Sequence, residues 1–241
     1  MSELTSTTGF LDEQFPVFAQ HYRTIRYDLR GFGQTRLEAG TFANHEDAAA
    51  LLDALGAQQA HVIGVSHGSE IALDFTLAHP ELVASLVMVA PSVGGAQLSE
   101  RIRSFIREEN ALVEQSDLQG ATELNLRLWV DGLHRAPEQV HQAVRQRLYE
   151  MQYHAFTIPI PEGIDEEELQ PPAITRLSEV RVPTLVIVGD LDLPEKLELS
   201  EHLTTGIPGA RQEIIAGAAH MVSMEQPQEF NRIVLDFLSE V

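Results

Sequence analysis

The sequence of 241 residues predicts an α/β fold, with a doubly wound, mainly parallel β-sheet and a helical segment inserted between two strands. Three observations lead to this prediction. Short apolar runs rich in β-branched residues recur along the chain, amphipathic stretches lie between them, and one long stretch carries helical patterns without a strand pattern. The length fits a single domain that contains an inserted subdomain.

Five apolar runs predict the strands of the sheet. Each is bounded by glycine, proline or charged residues, which is typical of strands buried on both faces of a parallel sheet. The runs are Thr24–Asp28, His61–Val65, Ser85–Ala90, Thr184–Gly189 and Arg211–Ile215.

Three helices alternate with these strands. Asn44–Leu55 is amphipathic and stops at Gly56, a residue that commonly caps a helix C-terminus. His67–Ala78 ends shortly before Pro80, and Pro227–Leu238 begins with proline, which suits the first turn of a helix.

The stretch from Gln97 to Val182 interrupts the alternation. Apolar residues recur there at helical spacing, and we find no strand pattern. A helical insertion on the carboxyl side of a parallel sheet covers the place where such sheets bind ligands. We therefore divide the chain into a core (1–96 and 183–241) and a cap (97–182); the alternative is a set of additional core helices.

Composition excludes several classes of protein. The net charge of −20 disfavours binding to nucleic acids and to anionic membranes, and no apolar stretch is long enough to span a bilayer. The sequence has no cysteine, and its ten histidines form neither HxH nor HExxH, so we expect no metal site and no cofactor. The first ten residues lack the pattern of a signal peptide, and we expect a cytoplasmic protein.

The segment Gly64-Val65-Ser66-His67-Gly68 matches the G-x-S-x-G pattern of a nucleophile elbow. In such an elbow the serine stands at a strained turn from strand to helix, and the neighbouring glycines leave room for close approach. The position between a strand and a helix favours Ser66 as a nucleophile. The alternative is that Ser66 is a turn residue.

A serine nucleophile needs a base and an acid that orients the base, in the chain order serine, acid, histidine for this motif. Asp190 and Asp192 both follow the strand Thr184–Gly189, and His220 follows the strand that ends at Ile215. All three positions lie beyond the carboxyl ends of strands, at the edge where Ser66 also emerges. The order therefore predicts a triad and leaves two candidates for the acid.

In combination, several stretches resemble the α/β-hydrolase superfamily with a helical cap: "YDLRGFGQT", "GVSHGSEIALDFTLAHPELVASLVMVAPS", "VPTLVIVGDLDLPE" and "IPGARQEIIAGAAHMVSMEQPQEFNRIVLDFL". The sequence is similar to small bacterial esterases and lactonases, such as 3-oxoadipate enol-lactonases. The resemblance implies a serine hydrolase of carboxylic esters or lactones that acts on a small molecule. Carbon–carbon bond hydrolysis by the same triad, and a binding protein without activity, are the alternatives.

The resemblance also implies roles for particular residues. The acid in relatives lies three residues beyond the strand-ending glycine, which selects Asp192, and the catalytic residues would be Ser66, Asp192 and His220. The backbone N–H of His67 would contribute to the oxyanion hole, with the His67 imidazole facing outward. Asp190 would cap the turn.

Relatives have strands and a His-Gly loop ahead of "YDLRGFG", and this sequence shows no counterpart for them. By spacing, the second oxyanion donor would be the backbone of Leu4. The strand that relatives place between Thr24–Asp28 and His61–Val65 has no candidate either. The two strands would then pair directly, or another chain would fill the gap, or the sequence starts downstream of a natural beginning. We expect weak esterase activity and a tendency to form homo-oligomers, because unpaired strand edges promote association.

In the cap, Trp129, Arg103, Arg107 and Arg127 are candidates to line a pocket for an acidic or aromatic acyl group. The alternative is that the arginines face water and that the tryptophan packs in a core.

Overall fold

The fold contains two parallel sheets, and the structure, a computed structural model, describes residues 8–241. The strands are β1 (Gly40–Phe42), β2 (Ala60–Val65), β3 (Val83–Val89), β4 (Ile164–Glu166), β5 (Thr184–Gly189) and β6 (Arg211–Ile215). The main sheet has the order β2-β3-β5-β6, and β1 pairs with β4 in a separate two-stranded ladder.

Helices cover both faces of the main sheet. In chain order they are α1 (Phe15–Phe18), α2 (Asn44–Ala54), α3 (His67–Ala78), α4 (Glu100–Glu114), α5 (Leu118–Asn125), α6 (Gln142–Thr157), α7 (Pro194–Gly206), α8 (Val222–Glu225) and α9 (Pro227–Ser239). A π-helical turn over Leu126–Asp131 continues α5.

The two central strands are buried on both faces, and their residues alternate between two apolar cores. Val87 and Val89 of β3 pack with α9, whereas Leu86 and Met88 pack with α3 and α7. This alternation is the period of two that a strand imposes on its side chains. It explains why these strands are continuous apolar runs in the sequence.

Four of the five predicted strands are confirmed, and the prediction for Thr24–Asp28 is wrong. Residues 23–29 have no regular secondary structure in the described part of the chain. A groove of about 570 Å³ separates this segment from β2. The segment therefore lacks the ladder of backbone hydrogen bonds that would make it a strand.

The stretch from Gln97 to Val182 is mostly helical, as expected, and contains α4, α5, the π-helical turn and α6. The expectation of no strand there is wrong for β4, which pairs in parallel with β1 through three residues each. Both strands are short and at most half-buried. Because β1 and β4 are short, at most half-buried and far apart in the sequence, neither shows the apolar run that would predict a strand.

The turn from β2 into α3 carries backbone strain at Ser66, whose φ is 53° and ψ is −120°. A Cβ on Gly64 would lie 2.1 Å from the carbonyl oxygen of Gly68, so position 64 requires glycine. A Cβ on Gly68 would meet no described atom within 4 Å. The expectation that both glycines are needed for space is therefore wrong for Gly68, which faces the groove beside β2.

This difference predicts opposite effects of the same substitution. Gly64→Ala should lower the free energy of unfolding by at least about 3 kcal/mol, because strand and helix must separate to admit the methyl group. Gly68→Ala should leave it unchanged or raise it by up to about 1 kcal/mol, since alanine favours a helix. Urea unfolding of the two variants measures both values, and equal effects would contradict the steric argument.

Asp74 is a buried acid on the inner side of α3, with a side-chain oxygen that has no hydrogen-bond partner among the described residues. Burial raises its pKa to about 6, and the nearby Glu168 adds to the shift. His67 and Arg176 oppose the shift. The folded state therefore binds a proton more tightly than the unfolded state does.

The pKa of Asp74 is thus raised on folding, from its usual value of 3.8 to about 6. The stability that Asp74 contributes is therefore present at low pH and is lost as the pH rises through the range between these two pKa values. Asp74→Asn should therefore be more stable than the parent protein at pH 7 to 8, by up to about 3 kcal/mol. The difference should vanish below a pH of about 4. Melting temperatures of both proteins across this range test the prediction, and a pH-independent difference would contradict it.

Candidate active site

Three side chains meet at the carboxyl edge of the main sheet. Ser66 follows β2, Asp192 follows β5 and His220 follows β6. The carboxyl ends of parallel strands share one edge, where ligands of such sheets bind. The sheet thus brings together residues that are far apart in the sequence.

The three residues form a continuous hydrogen-bonded relay. Ser66 Oγ lies 2.9 Å from His220 Nε2, and His220 Nδ1 lies 2.8 Å from Asp192 Oδ2. With the proton on Nδ1, the imidazole donates to the carboxylate and leaves Nε2 to accept from the serine hydroxyl. Asp192 and His220 are buried, while Ser66 is partly exposed. This arrangement can remove the hydroxyl proton of Ser66, which of these three residues is the one that is exposed to a substrate.

The loops that carry Asp192 and His220 cross at Gly189. A Cβ at this position would lie 2.1 Å from the carbonyl oxygen of Ala218. The crossing is tied by a hydrogen bond of 3.0 Å from the backbone N–H of Leu191 to the same oxygen. Asp192 is held further by its Oδ1, which accepts from the backbone N–H of Leu193 at 2.7 Å.

The two candidate acids have different surroundings. Asp192 faces His220, whereas Asp190 Oδ1 accepts from the backbone N–H of Gly217 at 2.7 Å and closes the turn between the two loops. Of the two carboxylates, the structure places Asp192 at the histidine.

His67 is the first residue of α3, so its backbone N–H is one of the donors that a helix cannot satisfy internally. The expectation that its imidazole faces outward is wrong, because His67 is buried and lies close enough to Asp74 to lower that carboxyl's pKa. Leu4, the expected second donor, lies outside the described residues.

Trp129 of the inserted segment lies against the histidine. Its ring centroid is 4.6 Å from that of His220, and its carbonyl oxygen accepts from the His220 backbone N–H at 3.3 Å. Trp129 belongs to an apolar cluster that also contains Leu193 and Met221, the residues directly after Asp192 and His220. The inserted helices therefore pack on the two loops that carry the acid and the base.

The three arginines proposed with Trp129 lie elsewhere. Arg103 and Arg107 both pair with Glu100 in exposed ion pairs, and Arg127 pairs with Glu123 with its side chain more than half exposed. The expectation that these arginines line the pocket is not supported, because neighbouring carboxylates hold them at the surface.

A buried ion pair that the sequence patterns did not indicate supports the His220 loop. Arg135 lies 2.6 Å from Glu225, and Glu225 Oε1 accepts from the backbone N–H of Ala219 at 2.9 Å. Burial raises the pKa of Glu225, and the bond to Arg135 opposes this shift. Arg135 also donates to the carbonyl oxygen of Val130 at 2.6 Å. Its ion pair with Glu225 therefore joins the π-helical turn of the inserted segment to the His220 loop. Residues so far apart in sequence leave no motif.

Two further searches of the described residues concern a metal site and a membrane-spanning helix. Among residues 8–241, no group of three or more histidine, cysteine, aspartate or glutamate side chains is arranged to hold a metal ion. In the same part of the chain, no helix combines the length and the apolar character needed to cross a membrane.

Comparison with known proteins places these features in a family. The profile of the alpha/beta hydrolase fold matches residues 8–227. The chain is 26% identical over 229 residues to the 2-hydroxy-6-oxononadienedioate/2-hydroxy-6-oxononatrienedioate hydrolase 2 of Pseudomonas putida, covering 92% of this chain and 79% of that protein.

Solved structures are similar along nearly the whole chain. The enol-lactonase of Burkholderia xenovorans LB400 has a TM-score of 0.77 at 20% identity, with 98% of this chain and 88% of that chain covered. Est816, an N-acyl homoserine lactone degrading enzyme, has a TM-score of 0.74 at 25% identity, with 97% and 89% covered. The chain belongs to the α/β-hydrolase fold family of enzymes.

Proposed function

We propose that the chain is a cofactor-independent serine hydrolase that cleaves a carboxylic ester or lactone of a small molecule. The observation that carries this proposal is the relay from Ser66 Oγ through the His220 imidazole to Asp192, with contacts of 2.9 and 2.8 Å. A hydroxyl that donates to a buried, oriented imidazole is the arrangement that activates serine for attack on a carbonyl.

In the first half of the reaction, Ser66 Oγ attacks the substrate carbonyl while His220 Nε2 takes the hydroxyl proton. The negative charge on the carbonyl oxygen is stabilised by the His67 N–H and the N-terminus of α3. The carbon–oxygen bond of the ester then breaks, and His220 gives its proton to the departing alcohol oxygen. An acyl group remains on Ser66.

In the second half, water attacks the acyl carbonyl and gives a proton to His220. The bond to Ser66 Oγ breaks, His220 returns the proton to the serine, and the carboxylic acid leaves. Throughout, Asp192 holds the histidine tautomer and stabilises the imidazolium. For a lactone, the alcohol and the acid are parts of one product molecule.

We also propose that residues 97–182 form a cap over this site. The packing of Trp129 on His220 and the ion pair of Arg135 with Glu225 support a closed arrangement of the segment over the acid and base loops. Excluding water there would strengthen each electrostatic contact at the reacting groups.

Hydrolysis of a carbon–carbon bond is the second candidate. The Pseudomonas putida relative, at 26% identity, is named as a hydrolase of a 2-hydroxy-6-oxo dienedioate, and the same triad could serve that reaction. Comparing kcat/KM for vinylogous diketones with that for simple esters and small lactones distinguishes the two chemistries.

The triad proposal predicts that Ser66→Ala and His220→Ala each remove most of the esterase activity, by a factor of about 10⁴ to 10⁶. The double variant should lose little more, because the members act as a unit. Hydrolysis of p-nitrophenyl esters measures the loss, and a fluorophosphonate should label the parent protein and not Ser66→Ala. A parent protein that resists labelling would indicate a binding protein instead.

The choice of acid predicts unequal effects of two matched substitutions. Asp192→Asn should lower kcat by a factor of about 10⁴, since the imidazole then adopts the wrong tautomer. Asp190→Asn removes a carboxylate two residues away that only closes the turn, and it should lower kcat by less than about tenfold. A larger loss for Asp190→Asn would contradict the assignment.

A further inference from the structure

A groove of about 570 Å³ lies beside β2, the end strand of the main sheet in the described part of the chain. Residues of α1 and α9 form one wall of this groove, and residues of α2 and α3 form the opposite wall. The segment 23–29 closes the side that faces β2. The groove is thus a slot between two helix layers. Its lining does not include Ser66, Asp192 or His220, so the groove is separate from the candidate active site.

The volume of the groove suits a single extended segment of polypeptide. In β-sheets the rise is about 3.3 Å per residue, neighbouring strands lie about 4.8 Å apart and packed sheets about 10 Å apart, which gives about 160 Å³ per residue. The groove therefore has room for about four residues of one strand. A folded surface would not enter between the two helix layers.

Backbone hydrogen-bonding groups of β2 face the groove. The N–H of Ser66, directly after β2, donates to the carbonyl oxygen of Val89 in β3 at 2.8 Å. Because backbone groups alternate between the two edges of a strand, those of His61, Ile63 and Val65 point away from β3. All three residues line the groove. An apolar small molecule would bury these N–H and C=O groups without partners, whereas an extended peptide can pair with them.

The side chains around the groove are apolar on both sides of the sheet. Ile63 and Val65 pack against the apolar cluster of Phe18 on the α9 side. Val62 packs against the cluster of Phe75 on the α3 side. β2 is only half-buried along most of its length, whereas β3 and β5 are buried. A strand with apolar residues at successive positions would therefore gain contacts on both of its faces.

The charge at one end of the groove is positive. No aspartate or glutamate is among the described residues that line it, although the chain has 36 acidic residues. Of the two arginines in the lining, Arg26 pairs with Asp12. The Arg23 guanidinium donates to the carbonyl oxygen of Leu55 at 3.0 Å, in the turn between α2 and β2. This acceptor carries no formal charge, so an acidic residue at the amino end of β2 can pair with Arg23.

We propose that the groove binds an extended segment of a partner polypeptide, about four apolar residues long and flanked by an acidic residue at the Arg23 end. The segment adds a strand to the outer edge of β2, where its main chain supplies hydrogen bonds and its side chains pack on both helix layers. A second copy of this chain is a poorer occupant, because two chains of net charge −20 repel each other. Since β2 ends just before Ser66, a bound strand also supports the strand that carries the candidate nucleophile.

The fluorescein-labelled peptides EEVIVLV and VLVIVEE test this proposal, and the two orders allow for a parallel or an antiparallel strand. At least one of them should bind in a saturable manner by fluorescence anisotropy and should raise the Tm of the protein. Binding is measured without turnover, so the result does not depend on the proposed hydrolase function. If neither peptide shows saturable binding up to about 1 mM, the proposal is overturned.

N-methylated peptides test the backbone hydrogen bonds. Methyl groups on alternate backbone nitrogens remove the donors of one strand edge and keep every side chain. Methylating at least one of the two alternate sets should raise Kd by about tenfold or more. If neither set changes Kd, the groove takes up apolar groups without forming a strand, and the proposal is overturned.

Two protein variants locate the peptide. Gly68→Leu places a side chain in the groove, because a Cβ at this position would meet no described atom within 4 Å, and it should raise Kd by about tenfold or more. Ala50→Leu adds a leucine on the exposed side of α2, outside the groove, and should change Kd by less than about threefold. Equal affinities of the two variants would place the peptide elsewhere and overturn the proposal.

A charge exchange tests the acidic flank. Arg23→Gln should weaken binding of the acidic peptide by about twofold to fivefold and should not weaken binding of the same peptide with glutamine in place of glutamate. Arg232→Gln makes the same change in net charge at an exposed ion pair of α9 and should affect neither peptide. An equal loss for the acidic and the neutral peptide would overturn the assignment of an acidic flank.

Sedimentation distinguishes a partner polypeptide from a second copy. A protein whose mass changes only by that of the bound peptide supports the proposal. A dimer that dissociates when the peptide binds would show that a second copy fills the groove, and this would overturn the proposal.

Discussion

Two close backbone approaches, each of which only glycine allows, bring the parts of the candidate site together. At Gly64 the nucleophile strand and its helix come so near that a Cβ would lie 2.1 Å from a carbonyl oxygen, and at Gly189 the same holds between the loops of Asp192 and His220. The relay from serine to carboxylate depends on both approaches. A displacement of about 1 Å at either one would be enough to cost a large part of the activity.

The strain at Ser66 is sustained by the elements around it. The residue has a positive φ, which costs a non-glycine residue about 1 to 3 kcal/mol, and it persists where the surroundings determine the conformation. Here the backbone N–H of Ser66 donates to Val89 of the neighbouring strand at 2.8 Å, and its carbonyl oxygen accepts from the backbone N–H of Ser69 at 2.8 Å. The sheet and the first turn of α3 thus hold the hydroxyl at the edge of the sheet.

The inserted helices contribute contacts to the histidine that the sheet alone does not provide. Trp129 covers the imidazole, and the buried pair of Arg135 and Glu225 ties the π-helical turn to the backbone beside His220. Removing one partner of such a buried pair destabilises the fold, because the remaining charge is then buried without a counter-ion. The base is therefore fixed from the sheet side and from the helical side.

The sequence by itself determined the α/β class, four strands of the main sheet, the helices that alternate with them, and Ser66 and His220 as residues that meet at one edge. The chain order left Asp190 and Asp192 as candidates for the acid, and only the resemblance to relatives selected Asp192. The sequence could determine the other features because they have local signatures: continuous apolar runs, caps, a glycine-flanked turn and a fixed chain order. Only the tertiary structure decided that Thr24–Asp28 is not a strand, that β1 pairs with β4, that three arginines lie in surface ion pairs, and that Trp129 lies against His220. These features depend on partners that are distant in the sequence, and a side chain's charge or ring does not reveal which distant group it will contact.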